Sequence, residues 1–310
     1  MIEIVPDITW EEFIEVTNSD NFLNSDFIFR GQSNSYDGHT FHNWPIISSF
    51  NRYYSRDNFR FEDFIGQQLE EGLFKMTYGN YEFVKRTNLD KSNLISRLYF
   101  LQHYSIPTCL LDFTFNPAIA LYFAMTSLKG HKARTCNIEG FPTIYPSECK
   151  ISIYQINHRL LREIIGIKEI THTGNDLFGE YEKYRIDLTS NRYAYLGVDL
   201  TPHLKMNQDV DNYNIRVQNG CFILFDNISD NNCDLISFLK SYSKNNNLTF
   251  PEPLIKIYNI NYNNLYRPMR SRQRDYKPVF RYLQDKGITG KNLFNDYQGL
   301  KYDLNFFHDK

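Results

Sequence analysis

The chain lacks most of the features that assign a protein by inspection. No apolar run approaches the ~20 residues needed to cross a bilayer; the longest, Ala118 to Met125, is far shorter, so no membrane is expected as a partner. The N-terminal string MIEIVPDITWEEF carries acids where a secretory signal carries bases, and no apolar core of signal length follows it. A cytoplasmic protein is expected. Cysteines are few and odd in number, five in 310 residues with none at C-x-x-C spacing, which argues against a disulfide framework and a structural zinc site. Neither G-x-G-x-x-G nor G-x-x-x-x-G-K-[ST] occurs, so a nucleotide site would have another design. The formal net charge of −2 supplies no global field toward nucleic acid or anionic lipid, and any such contact must be local.

What the chain has is core material. Apolar residues make up 42% and aromatics 16%, with 25 Phe and 23 Tyr, enough to pack an interior in one large domain or two modest ones. Thr9 with Glu12 three residues on is a capping box opening a first helix through Trp10, Phe13 and Ile14. Asp26-Phe27-Ile28-Phe29 reads as a buried strand ending abruptly at Arg30-Gly31-Gln32, which places an arginine at the strand's exit. Residues 33–58 read as loop. Helical spacing returns at Phe61, Phe64, Ile65, Leu69 and Leu73, and again at Leu94, Ile95, Leu98 and Leu101. Pro107 must stop the second of these near Tyr104, which leaves Gln102 and His103 on its last turn. Asn116-Pro117 then caps a helix, Ala118 to Leu128, apolar on nearly every side.

Lys150 to Ile156, Arg216 to Phe225 and Leu254 to Ile260 read as strands, and Pro278 to Lys286 as a last helix capped by Gly287. Asn-rich stretches at 207–214, 227–233 and 245–248 are turn and loop material. Helices precede most strands, which predicts α+β, with a helical N-terminal half packed on a mixed or antiparallel sheet formed mainly by the C-terminal half.

Arg30 is the most informative residue. A guanidinium closing an apolar strand is costly to desolvate unless an anion or carboxylate meets it. It suits a phosphate or pyrophosphate, with Gly31 letting a ligand approach the backbone, or else a structural salt bridge to Asp112. His103 at a helix C-terminus favours the protonated form, as a cation toward phosphate or an acid toward a leaving group; the alternative is a hydrogen-bonded imidazole that locks the proline turn. Thr108 follows that turn, and Asp112 interrupts an apolar Leu-Leu-x-Phe setting, suited to orienting Arg30 or His103.

Weaker signals accompany these. His39 and His42 have ligand spacing without a third partner, and no metal is expected. Arg267, Arg270, Arg272 and Arg274, with Tyr266, Tyr276 and Lys277, have the composition of a single-stranded nucleic-acid groove or of a solvated face. Cys221 on an apolar strand reads as a buried thiol.

Phe29-Arg30-Gly31-Gln32-Ser33, Pro45 with Arg52, Gln102-His103-Tyr104, Pro107-Thr108, Leu110-Leu111-Asp112 and Ala120-Leu121-Tyr122-Phe123-Ala124 together resemble the FRG-domain family, named for the Phe-Arg-Gly string. The likeness extends to Gln218-x-Gly220-x-Phe222 preceded by Arg216, and to Gly287-Ile288-Thr289 with Leu293-Phe294, Gly299 and Leu300. It implies a single domain over residues 1–310, with a motif region at about 20–125, a strand-rich part at about 150–260 and a C-terminal helix and tail at 275–310. The family pattern usually has arginine where Cys109 stands, tryptophan at Phe113 and Pro-Asp at Asn295-Asp296. The absent arginine removes one anion contact and leaves Arg30 to act with Arg52, Arg97 or His103.

The aromatic-Arg-Gly strand also resembles the first motif of arginine-type ADP-ribosyltransferases. That likeness implies an ADP-ribosyltransferase-like fold and a dinucleotide, NAD, held by Arg30, Gly31, Gln32, Arg52, Gln102, His103, Thr108 and Gln218. Arg30, His103 and Asp112 would be the catalytic group, and nucleic acid or protein the acceptor; the role implied is a bacterial toxin or antiphage-defence effector. Such enzymes use a carboxylate to steady the cation left by nicotinamide; Gln218 to Phe222 offers none, which leaves Asp112, Glu180 and Glu182. The alternative is a non-catalytic nucleotide- or nucleic-acid-binding module.

Overall fold

Isoleucine, phenylalanine and tyrosine recur at every second place in most of the strand segments, and a computed structural model joins nine of them in one mixed sheet. It describes residues 1–18, 26–33, 46–54, 94–103, 106–126, 137–138, 141–142, 150–170, 177–189, 192–202, 213–227, 234–261, 267–268, 274–275, 277–294 and 299. The strands are β1 (Ile2–Ile8), β2 (Phe27–Gln32), β3 (Leu110–Thr114), β4 (Lys150–Asn157), β5 (Lys168–Glu169), β6 (Arg185–Thr189), β7 (Arg192–Asp199), β8 (Gly220–Asp226) and β9 (Ile255–Asn261). Their order is β1-β9-β4-β2-β3-β8-β7-β5, with β6 also on β7; β1 runs parallel to β9 and β5 to β7, and the other pairs are antiparallel. The architecture is α+β, and six of these nine strands come from beyond residue 149.

Strand side chains alternate between faces, and the three apolar clusters follow that alternation. One face is covered by α5 (His158–Glu163) and α8 (Leu235–Asn245), whose Leu160, Leu161, Phe238 and Leu239 pack on Ile28, Ile156, Phe113, Ile223 and Phe225. The other face is divided. Over β1, β9, β4 and β2 lie α1 (Trp10–Asn18), α4 (Pro117–Thr126) and α9 (Lys277–Asp285). Over β3, β8 and β7 lie α3 (Leu94–His103) and α6 (Leu177–Glu182), with Phe50 of α2 (Ser49–Tyr54). The division falls between β2 and β3, where the motif residues are.

The capping box forms as the sequence requires, Thr9 N donating to Glu12 Oε2 at 2.8 Å and Glu12 N to Thr9 Oγ1 at 3.1 Å. Asn116 caps α4 through Ala118 N at 2.9 Å, and seven of its ten residues are buried, as an all-round apolar helix demands. Gly287 ends α9 at φ 71°. The predicted helix at Phe61 to Leu73 lies outside the described residues, as do His39 and His42.

Two readings change, and one helix is new. The strand expected to end at Arg30 continues to Gln32, because β4 offers partners further along, Gly31 facing Ile153 and Gln32 facing Ser152. Arg216 and Gln218 are not on a strand: α7 (Tyr213–Val217) precedes β8, and Asn219 at φ 45° makes the left-handed turn between them. Residues 235–245 form α8, whose cap Asp234 accepts from Ile236 N, Ser237 N and Ser237 Oγ. Asp234→Ala should therefore cost ~1–2 kcal/mol, read as a lower urea midpoint; an unchanged midpoint would refute the cap.

Candidate functional site around Arg30

The ladder between β2 and β3 is a single pair, Phe29 with Thr114, after which the strands part. In a continuous ladder Gly31 would sit opposite Asp112. Instead the Arg30 guanidinium takes that place, its Nη1 donating to the main-chain oxygen of Asp112 at 2.7 Å. Arg30 lies on the α5–α8 face with its carbon 5.9 Å from the centre of the Phe113 ring. Its Nε is buried without a hydrogen-bond partner. Burial pulls its pKa down, Asp112 opposes that, Arg52 adds to the lowering and Tyr154 opposes it, so the guanidinium is a desolvated cation with one described hydrogen bond. The predicted alternative of a salt bridge to the Asp112 carboxylate is not formed.

That carboxylate belongs to a second chain of bonds on the other side of the sheet. Thr108 Oγ1 donates to Gln102 Oε1 at 2.5 Å, and Gln102 Nε2 donates to Asp112 Oδ2 at 2.8 Å. Each group has one assignment consistent with both bonds: the Gln102 amide accepts from the threonine and donates to the acid. Thr108 is itself fixed, its N–H donating to Ser49 Oγ at 3.0 Å while Phe50 N donates to its carbonyl, also at 3.0 Å. This anchors α2 to the start of β3 and brings Arg52 into the field of Asp112. Partial desolvation lowers the Arg52 guanidinium's pKa and Asp112 raises it. Two guanidiniums thus share one exposed carboxylate.

Arg30, Arg52, Gln102, Thr108 and Asp112 therefore converge as the sequence suggested, through bonds it did not specify. His103 ends α3, and its side chain lies outside the described residues. Three positions take other parts. Gly31 faces α4, where an added Cβ would lie 1.9 Å from the Ala120 carbonyl oxygen, so its bareness admits a helix and not a ligand. Gln218 is held at the far end of β3, its Nε2 donating to the Leu293 carbonyl at 2.9 Å and its own carbonyl accepting from Thr114 Oγ1 at 2.6 Å; it staples the C-terminal region to the sheet. Position 109 does not face the arginine. Cys109 is buried beside Tyr181, whose hydroxyl lies 3.6 Å from its Sγ and 3.1 Å from Asp226 Oδ2. The departure from arginine there alters the interior near Asp226 and not an anion contact at Arg30.

Burial, joined by Asp226, pushes the Cys109 thiol's pKa far up, and burial does the same to Cys221. Neither is a poised nucleophile. Glu182 accepts from the Tyr195 hydroxyl and lies 3.6 Å from Arg185 Nη1; the Glu180 side chain lies outside the described residues. Among the described residues no three His, Cys, Asp or Glu side chains gather as a metal site, and no helix is long and apolar enough to cross a membrane.

The sequence reading missed the floor of this centre. On the Arg30 face, β2 and β4 pair Arg30 with Tyr154 and Gln32 with Ser152, and β9 places Asn259 against Ser152. All but Arg30 are buried, and Gln32 Oε1 has no hydrogen-bond partner. The signal was present as polar residues at alternate places in isoleucine strands, Ser152 and Tyr154 in one and Asn259 and Asn261 in the other.

No curated protein and no solved structure matches the chain. A family model does, over residues 25–133, a stretch that includes Arg30, Arg52, Gln102, Thr108 and Asp112 and leaves out the Gln218 and Gly287 strings. Residues 25–133 match the FRG domain, and Arg30, Arg52, Gln102, Thr108 and Asp112 all come from that stretch.

Proposed function

We propose that the Arg30 centre binds a nucleotide, with the guanidiniums of Arg30 and Arg52 holding its phosphates. The supporting observation is the buried, unpartnered Nε of Arg30. A buried donor left unsatisfied costs ~1–3 kcal/mol, and a charged one in this position is repaired by a phosphate oxygen, which guanidinium geometry matches. Among the described residues two cations to one carboxylate leave local positive charge for such a guest, although the whole chain is slightly acidic.

NAD fits this donor set through its pyrophosphate, and when bound it supplies a nicotinamide leaving group. A second reading, an ADP-ribosyltransferase-like enzyme, is favoured by one observation: Asp112 presents an exposed carboxylate, fixed in direction by Gln102, across the sheet from Arg30 and within the electrostatic reach of both arginines. A carboxylate held there is suited to steadying positive charge. Nucleic acid or protein would be the acceptor.

Incubation with labelled NAD and cell extract, beside an Arg30→Ala variant, separates the two. Label transfer or nicotinamide release that vanishes in the variant supports the enzyme, and binding without turnover supports recognition alone. If the unmodified protein neither binds nor consumes NAD or any nucleoside diphosphate, both fail.

A further inference from the structure

The buried row beneath Arg30 has a polarity that phosphate binding does not use. Gln32, Ser152 and Asn259 lie side by side across β2, β4 and β9 by register, with Ser152 Oγ bonded to Asn259 Oδ1 at 2.6 Å. They are 7%, 0% and 4% exposed. One row back along the strands the equivalent places hold Arg30 and Tyr154, and the row behind that is Ile28, Ile156 and Ile255. The face thus passes from hydrocarbon to a cation to neutral hydrogen-bonding groups within three steps.

Gln32 Oε1 is the informative atom. It is an acceptor, buried, and without a partner, so it calls for an N–H or O–H that the described protein does not provide. Arg30, two residues away on the same face, calls for the opposite, an acceptor. Two places along one strand face are ~7 Å apart, which is about the span from a nucleoside phosphate to the hydroxyls of its own ribose. A purely inorganic anion would satisfy the arginine and leave the glutamine orphaned. A deoxygenated sugar would do the same.

We infer that Gln32 selects the ligand by accepting a hydrogen bond from a ribose hydroxyl, so that the site takes ribonucleoside phosphates in preference to their dideoxy counterparts. The Ser152–Asn259 bond fixes the polar floor beside it. This inference rests on the nucleotide reading of Arg30 and adds the sugar to it.

The test is isothermal titration of three probes, ADP, 2′,3′-dideoxy-ADP and inorganic pyrophosphate, into the unmodified protein and into Gln32→Met. The unmodified protein should bind ADP about tenfold more tightly than the dideoxy form, the worth of one buried hydrogen bond. Gln32→Met should bind the two within about twofold of each other, with pyrophosphate unchanged. No ribose preference in the unmodified protein, or a preference that survives Gln32→Met, overturns the inference while phosphate binding stands. If none of the probes binds, the nucleotide reading itself falls, and the ribose inference with it. Should Gln32→Met not fold, the comparison of ADP with its dideoxy form on the unmodified protein decides alone.

Discussion

Gly31→Ala is expected to lower stability by ~3 kcal/mol or more. The added Cβ would stand 1.9 Å from the Ala120 carbonyl oxygen and 2.8 Å from Ala124 N, both atoms of the α4 backbone. A helix backbone cannot turn aside as a side chain does, so α4 must lift from β2 or β2 must bend, and the close packing of Phe29 beneath Ala118, Ala120, Leu121 and Ala124 opens with it. Gly166→Ala is the instructive control. Gly166 is at φ 77° with nothing within 4 Å of where a methyl group would stand, so its replacement strains only the backbone and should cost ~1 kcal/mol. Urea unfolding of the two variants measures the difference; equal losses would mean that β2 and α4 are not in contact at Gly31.

The second large effect is a loss of ligand response without a loss of fold. Arg30→Met should leave the stability of the free protein within ~1 kcal/mol of the parent. It removes one hydrogen bond to the Asp112 carbonyl and a ring contact with Phe113, and it also removes a desolvated charge with an unpartnered Nε. Replacing an imperfectly paired buried charge by an apolar side chain of similar reach is commonly neutral or favourable. The ligand side is different in scale. A nucleotide at a hundred times its Kd stabilises the protein that binds it by ~2.7 kcal/mol, and the variant should show none of that gain. A purely structural arginine predicts the reverse, a less stable free protein and no nucleotide effect in either form.

The features legible in the sequence were the local ones. Thr9 with Glu12, Asn116-Pro117 and Gly287 specify their caps within a few residues, and the caps form. The motif residues Arg30, Gln102, Thr108 and Asp112 were recognisable because polar groups in apolar company need partners, and the bonds between them are made. What stayed hidden depends on distant chain. β1 holds only a short apolar run broken by Pro6, and exists because β9, some 250 residues on, pairs with it in parallel. Arg30 looked like a strand end because Gly31-Gln32 reads as a break; β4 carries the strand past it. Arg216 to Phe225 read as one strand, yet Arg216 and Val217 stand on a short helix that Asn219 reverses into β8. Gly31 was read as room for a ligand because nothing in the sequence says which side of β2 the helix Ala118 to Met125 will cover. The direction of Cys109, toward Asp226 and not toward the arginine, was likewise set by the register of β3 on β8, where Phe222 faces Asp112 and Leu224 faces Leu110.

These placements meet where β2 parts from β3. On one side of the sheet Arg30 stands over a polar floor, and on the other Asp112 is held by Gln102 and Thr108, with one main-chain carbonyl linking the two. The decisive measurement is differential scanning calorimetry of the unmodified protein and Arg30→Met, each with and without saturating ADP. The account predicts free proteins that melt close together and an ADP-dependent rise in Tm confined to the parent. A parent indifferent to ADP, or a variant that melts far lower yet still responds to it, would contradict the assignment of Arg30 to a phosphate.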